Sequence, residues 1–245
     1  MCGRGILDCS NLAGWQGQSA SIPLKFDHCS NIIIKDIIVL NPNAWACQAY
    51  DSADGVIDGV KIITSRPNGD GISLQSCQNY EVKNCFVRSW DDSLVVKNYD
   101  QSSSDIQFSK VQIWTDFAQS MEVGYETNKG NQPDSAITNV TFSEITVLNN
   151  FHKPVISVHN GDDASVEDIT FCDITVEHEE IGSGDADEMA YLIDLNIMQS
   201  GNWSTTQERG QIKSIMIENV NVLDGTPNAS RICGFDAEHK IEDVT

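Results

Sequence analysis

The amino-acid sequence predicts an all-β protein, a right-handed parallel β-helix of about seven to eight coils that occupies residues 1–245 as a single domain. Three observations lead there. A nine-residue phrase recurs along the chain, apolar residues inside each copy alternate with period two, and a further short apolar run separates successive copies.

The phrase first reads Asn31-Ile-Ile-Ile-Lys-Asp-Ile-Ile-Val39, two strand fragments joined at a polar corner, Asp36. It returns at 79–87 with Asn84 at the corner, and again at 139–147, 168–176 and 214–222. Weaker copies span 54–62, with Gly59 at the corner, and 105–113, with Lys110 there. The first inward positions are 32, 55, 80, 106, 140, 169 and 215, separated by 23, 25, 26, 34, 29 and 46 residues. A period of this size marks a solenoid, whose coils bury apolar surface only against neighbouring coils.

The third strand of each coil is expected at 72–74, 94–96, 121–123, 156–158 and 192–195. The longer separations then become exposed loops at 124–138 and 177–211. Residues 239–245 begin another copy, with Val244 in the place of Ile215, so the chain is expected to be a truncated piece of a longer solenoid, or one that needs a neighbour to cap it.

Acidic side chains outnumber basic ones by 36 to 15, giving a formal net charge of −21. Duplex nucleic acid and anionic membrane surfaces are therefore excluded as partners. No run of about 18 apolar residues is available to cross a bilayer, and residues 1–10 lack a signal peptide's charged start and long apolar middle. The eight cysteines form no CxxC pair and have no histidine at zinc-ligand spacing, so no metal is expected. Cys29 and Cys77 hold one position two coils apart, about 10 Å at the spacing of parallel strands, too far for a disulfide. Most of the cysteines are expected to be small buried hydrophobes. Three sequons, at Asn139, Asn202 and Asn228, say little about location.

The chemical signal is carried by carboxylates. Asn68-Gly-Asp70-Gly71 directly precedes the third strand at 72–74, and Trp90-Asp91-Asp92-Ser93 precedes the one at 94–96. Asp70 and Asp92 each lie two residues before the first inward residue of their strand. Stacking therefore sets them on adjacent rungs, with Asp91 beside them. Turn preference explains most other acids here, including Asp54, Asp58, Asp168 and Asp173. It explains this trio less well, because like charges about 4.8 Å apart raise one another's pKa. A glycosidase requires such an arrangement, with one carboxyl kept protonated and another ionised.

Asn68-x-Asp70-Gly71, the run Asp91-Asp92-Ser93-Leu94-Val95-Val96-Lys97, and Ser120-Met121-Glu122-Val123-Gly124 resemble successive motifs of the polygalacturonase-like family 28 glycoside hydrolases. Gly3-x-Gly5-x-Leu7-Asp8 resembles that group's early glycine-rich turn, and the segment 114–125 is similar to the related dextranase and isopullulanase group. The resemblance implies an inverting hydrolase of a plant or microbial polysaccharide or oligosaccharide that needs no cofactor; such a function favours a secreted or periplasmic place, while residues 1–10 carry no signal peptide and leave the compartment open. By position, Asp91 resembles the general acid, while Asp70 and Asp92 resemble the pair that activates water.

Departures from the family pattern bear on the substrate. Ala118-Gln119-Ser120 stands where the family has Gly-His-Gly, and Ser157-Val158-His159 aligns with its Arg-x-Lys. Those cations would bind a uronate carboxylate, so a neutral or differently substituted glycan is expected, with Lys97 as one remaining cation. Substrate contacts are expected from Asn68, Trp90, Lys97, Gln119, Glu122, Tyr125 and His159. Glu122 points outward, either as a solvated strand residue or as a carboxylate that binds a hydroxyl. His159 either replaces the missing cation or is an ordinary surface histidine. Trp90, beside the aspartates, is the favoured sugar platform over Trp114 and Trp203. A non-catalytic glycan-binding or adhesion solenoid is the alternative, and a polysaccharide lyase is a third option for which only Lys97 offers a base.

Overall fold

The computed structural model describes residues 1–14, 21–180, 191–226 and 229–245. Positions 181–190 of the expected loop at 177–211, and Asn228 of the third sequon, lie outside the described residues. Among the described residues every regular element is a β-strand, and strand pairing is parallel throughout. Together they form a right-handed parallel β-helix.

One sheet has eight strands, each contributing one rung: Leu24–Asp27, Cys47–Tyr50, Ile72–Gln75, Leu94–Lys97, Met121–Tyr125, Ile156–Asn160, Ile193–Ile197 and Arg231–Cys233. It contains all five of the third strands expected from sequence. The strand Cys47–Tyr50 escaped that reading because Cys-Gln-Ala-Tyr shows neither alternation nor β-branching.

The other sheet, of fourteen strands, carries the two halves of the repeated phrase. Early copies are split, as in Ser30–Lys35 and Ile38–Leu40, while later copies run through the corner as single bent strands, Ala136–Phe151, Ser165–Val176 and Gln211–Val222. The corner residues Asp36, Gly59, Asn84, Lys110, Glu144, Asp173 and Asn219 all adopt left-handed φ between 52° and 68°. Asn, Asp and Gly dominate that stack because they tolerate this conformation best. Asn84 donates to Asp58 at 2.8 Å and Asn219 to Asp173 at 3.1 Å, tying neighbouring coils together at the bend.

Register follows the repeat residue by residue. Ile32 pairs with Gly55, Gly55 with Tyr80, Tyr80 with Ile106, and the line continues through Val140, Ile169, Ile215 and Val244. Two positions along, Phe108, Phe142 and Phe171 stack face to face with centroids 4.7 and 4.9 Å apart, and all three are wholly buried. Gly55 interrupts the aliphatic line to admit its neighbour, since a Cβ there would fall inside the Tyr80 ring.

Three expectations need correction. The loop at 124–138 begins later, because Met121–Tyr125 continues as strand, and it is not exposed at its start: Glu126, Thr127 and Asn128 are buried. The loop at 177–211 is interrupted by Ile193–Ile197, the strand expected at 192–195, and also gives up Glu179–Glu180 and Gln211 to strands. Of the cysteines, Cys47, Cys77 and Cys85 are buried, while Cys2 and Cys233 are exposed and the other three intermediate; all eight are free thiols.

Candidate active site

The turns that enter the eight-stranded sheet hydrogen-bond to one another as regularly as the strands do. Cys47, Ile72, Leu94, Met121 and Ile156 are in register. Two residues before each lie Trp45, Asp70, Asp92, Gln119 and Pro154; three before lie Ala44, Gly69, Asp91, Ala118 and Lys153. Ala46 N donates to Asp70 O (3.0 Å), Gly71 N to Asp92 O (2.8 Å), Ser93 N to Gln119 O (2.9 Å) and Ser120 N to Pro154 O (3.3 Å). Gly71 allows this closeness, because a Cβ there would strike the Ser93 carbonyl. Asp70 and Asp92 are therefore stacked neighbours, about 4.8 Å apart along the coil axis, with Asp91 alongside.

All three carboxyls border one groove of about 660 Å³. Asp70 is 3% and Asp92 8% exposed, whereas Asp91 is only half-buried. Burial, reinforced by Asp91 and Asp92, holds the Asp70 carboxyl well above the usual carboxylate range. Burial also raises Asp91, and burial together with Asp91 and Glu122 pushes Asp92 up to about 8. Their titrations belong to the set of three rather than to single residues. Asp92 Oδ1 accepts from Gln119 N at 3.2 Å, Asp91 Oδ1 accepts from Asp92 N at 3.1 Å, and Asp70 Oδ1 is buried without a hydrogen-bond partner. Among the described residues, no group of three or more His, Cys, Asp or Glu side chains is arranged to hold a metal ion.

Asn68, Lys97, Gln119 and Tyr125 line the same groove. Lys97 is committed elsewhere: its Nζ lies 2.8 Å from Glu126 Oε2 and 5.7 Å from the Trp45 ring centroid. Burial alone would lower the Lys97 pKa, but Glu126 and the surrounding acids outweigh it and raise it.

Trp90 does not border the groove. Its ring stacks on Phe117 at 4.5 Å, and Phe117 in turn stacks on His152, so Phe117 is the ring that faces the cavity. Trp114 is half-exposed, beneath the Arg88 guanidinium and hydrogen-bonded to Asp116. The tryptophans that line the groove are Trp45 and Trp203. Trp45 holds the position of Asp70 and Asp92 one coil earlier, a placement hidden in the sequence because its strand was not recognised.

Glu122 and His159 depart from their expected settings. Neither is solvated: Glu122 is wholly buried and His159 nearly so, with the Tyr125 ring stacked over the imidazole at 4.4 Å. His159 Nδ1 meets both Glu122 oxygens at 2.9 and 3.0 Å, and Nε2 meets Asp194 Oδ2 at 3.0 Å. Ser157 also donates to Glu122, and Arg231 forms a fork on Asp194 at 2.8 and 2.6 Å. With carboxylates on both sides, both ring nitrogens donate. Burial would lower the His159 pKa, but Glu122 and Asp194 overcome it and push it up to about 9. The alternating row Glu122–His159–Asp194–Arg231 is electrically balanced.

Asp162, absent from any sequence expectation, fastens the loops around the groove. Wholly buried, it accepts from the backbone N–H groups of Thr127, Asn128, Thr205 and Thr206 at 2.7–3.3 Å. Arg209 holds the carbonyls of Gly161 and Thr206 from the other side. These contacts set Trp203 and Asn202 on the groove wall.

The family model for glycosyl hydrolases family 28 matches residues 3–222. The chain belongs to this family. It is 27% identical over 246 residues to a probable endopolygalacturonase D of Neosartorya fischeri, covering 92% of this chain and 48% of that one. It is 30% identical over 77 residues to a probable polygalacturonase of Vitis vinifera, covering 31% and 16%. The chain spans about half the length, or less, of the curated relatives it matches. Its fold is shared with an exopolygalacturonase from Thermotoga maritima, with a TM-score of 0.71 at 18% identity over 90% of this chain and 47% of the other.

Proposed function

We propose that this family 28 chain is the catalytic solenoid of an inverting glycoside hydrolase acting on a polysaccharide or oligosaccharide. One observation carries the reading: Asp70, Asp91 and Asp92 border a single groove from adjacent rungs, with pKa values raised by burial and, for Asp70 and Asp92, by the Asp91 charge as well.

In this reading Asp91, the least buried of the three, gives its proton to the glycosidic oxygen as the bond to the anomeric carbon breaks. A water attacks that carbon from the opposite face and loses its proton to the Asp70–Asp92 pair, so one proton leaves the trio and one returns. The unpartnered Asp70 Oδ1 supports a role in receiving it. Lys97 and Lys153, which both border the groove, moderate the charge of the cluster.

The test is Asp91→Asn, which keeps the side-chain shape and removes the acid. Release of reducing ends is expected to fall by about 10²–10⁴-fold with the thermal unfolding midpoint preserved. Undiminished hydrolysis would remove the acid assignment. NMR of the first-formed product, showing the opposite anomer to the substrate, tests inversion; the same anomer would overturn it.

A further inference from the structure

The aromatic rings that border the groove, Trp45, Phe117, Tyr125 and Trp203, differ in what they can offer a ligand. Phe117 lies between Trp90 and His152 of the neighbouring coils, with centroids 4.5 Å away on each side, so both faces are covered and its edge is left to the cavity. Tyr125 is buried, with His159 against its ring and Gln119 bonded to its hydroxyl. Trp203 is 47% exposed, and among the described residues no ring or cation packs on its indole.

That exposure is held in place by a closely bonded backbone. Ser204 N donates to Ser200 O at 3.1 Å, Ser200 N to Ser204 Oγ at 2.8 Å, and Trp203 N to Ser200 Oγ at 3.3 Å. Ser204 and Arg209 both bond the Gly161 carbonyl, and Asp162 accepts from the next two N–H groups, of Thr205 and Thr206. A large apolar ring is thus kept in water, against its tendency to be buried, on the wall of the groove. Trp45 is partly buried, with Lys97 Nζ 5.7 Å from its ring centroid to steady it.

Coil order sets the two indoles on opposite sides of the aspartates. Trp45 stands one coil before Asp70 and two before Asp92. The Trp203 segment is fastened one coil beyond Asp92, where Thr205 Oγ1 donates to the carbonyls of Asn128 and Lys129, and two coils beyond it, at Gly161 and Asp162. Three to four rungs separate these attachments from the coil of Trp45, about 14–19 Å along the axis. Flat apolar faces beside a few polar groups suit the CH faces of pyranose rings.

We propose that Trp45 and Trp203 are sugar platforms on either side of the aspartate trio, each stacking on one unit of a single glycan chain that crosses the groove. The chain is then held at two points with the intervening bond over the carboxyls, which orients it before reaction. The proposal rests on the hydrolase reading only in taking the ligand of the groove to be a sugar chain.

The experiment compares wild type with Trp45→Ala, Trp203→Ala, Trp203→Phe and the double alanine variant. Binding is read by affinity electrophoresis in gels containing polygalacturonate, its methyl ester, or an uncharged glucan or galactan. Reducing-end release and thermal unfolding are followed in parallel. On the polymer that retards wild type most, each alanine variant should bind about 10-fold more weakly. The double variant should bind about 100-fold more weakly, because one chain loses two separate contacts, and Trp203→Phe should keep most of the affinity. In the wild-type protein the same polymer should shield Trp203 from oxidation by N-bromosuccinimide, a readout that needs no variant to fold.

Unchanged retardation of folded single variants, a double variant no weaker than either single one, or an unshielded Trp203 would overturn the proposal. So would retardation of wild type by none of the polymers. Weakened retardation in a protein that releases no reducing ends would sustain the platforms and sink the hydrolase reading. Hydrolysis that persists with retardation unchanged would do the reverse.

Discussion

The imidazole Nδ1 of His159 lies 2.9 Å from Oε1 of Glu122, with both side chains sealed from solvent. The two residues come from adjacent rungs of one sheet, yet their pairing is not a rung-to-rung match. Glu122 is in register with Ser157, and His159 reaches back from two residues farther along. Asp194 and Arg231 extend the row, so the outer surface of this sheet is held by alternating charge where a simple solenoid would present solvated residues.

That row makes stability depend on pH. The folded pKa of His159, about 9, lies above the unfolded value of ~6.5. Its contribution is therefore fully present below pH ~6.5 and is lost as pH rises through about 9. Asp92, pushed up to about 8, acts in the same direction, because the folded chain keeps a proton that the unfolded chain has released. The difference between wild type and His159→Gln isolates the histidine. We expect the variant to lose about 3–5 kcal/mol at pH 6, and distinctly less near pH 10, by denaturant unfolding. An equal loss at both pH values would contradict the charged assignment.

Lys97 should set the pH range of activity. Its positive charge favours the ionised form of the carboxyl trio, so Lys97→Gln raises their pKa values. The alkaline limb of the rate profile is expected to move up by about one pH unit. The measurement is kcat/KM against pH on whichever glycan is hydrolysed, with unfolding monitored in parallel because Glu126 loses its partner. An unmoved limb in a folded variant would separate Lys97 from the trio.

Asp162 is expected to act through position alone. Asp162→Ala strands the N–H groups of the buried Thr127, Asn128 and Thr206, at about 1–3 kcal/mol for each unsatisfied group, and with the Thr205 contact releases the segment that carries Trp203. Thermal stability should fall, limited proteolysis should begin to cut within 198–210, and KM should rise more than kcat falls. A kcat loss with unchanged KM would assign Asp162 a different role.

Packing at Gly55 offers a test of the coil register. Gly55→Val should cost about 1–3 kcal/mol through collision with Tyr80. Tyr80→Ile in the same chain restores the Ile–Val–Ile line seen elsewhere in the stack, so the double variant should be more stable than Gly55→Val alone. Additive losses in that double-mutant cycle would place the two residues apart.

What was legible in the sequence is what repeats. Inward positions from Ile32 to Val244, left-handed corners from Asp36 to Asn219, and the stacking of Asp70 on Asp92 all follow from parallel strands in register. A residue's neighbour there is simply its counterpart one coil away. Only the tertiary structure decided the rest. It buried Glu122 and His159, spent the charge of Lys97 on Glu126, put Phe117 in front of Trp90, and brought Trp203 to the wall through Asp162. Those contacts depend on loops of unequal length that fold back over the sheet, and a loop has no period from which its neighbours can be read.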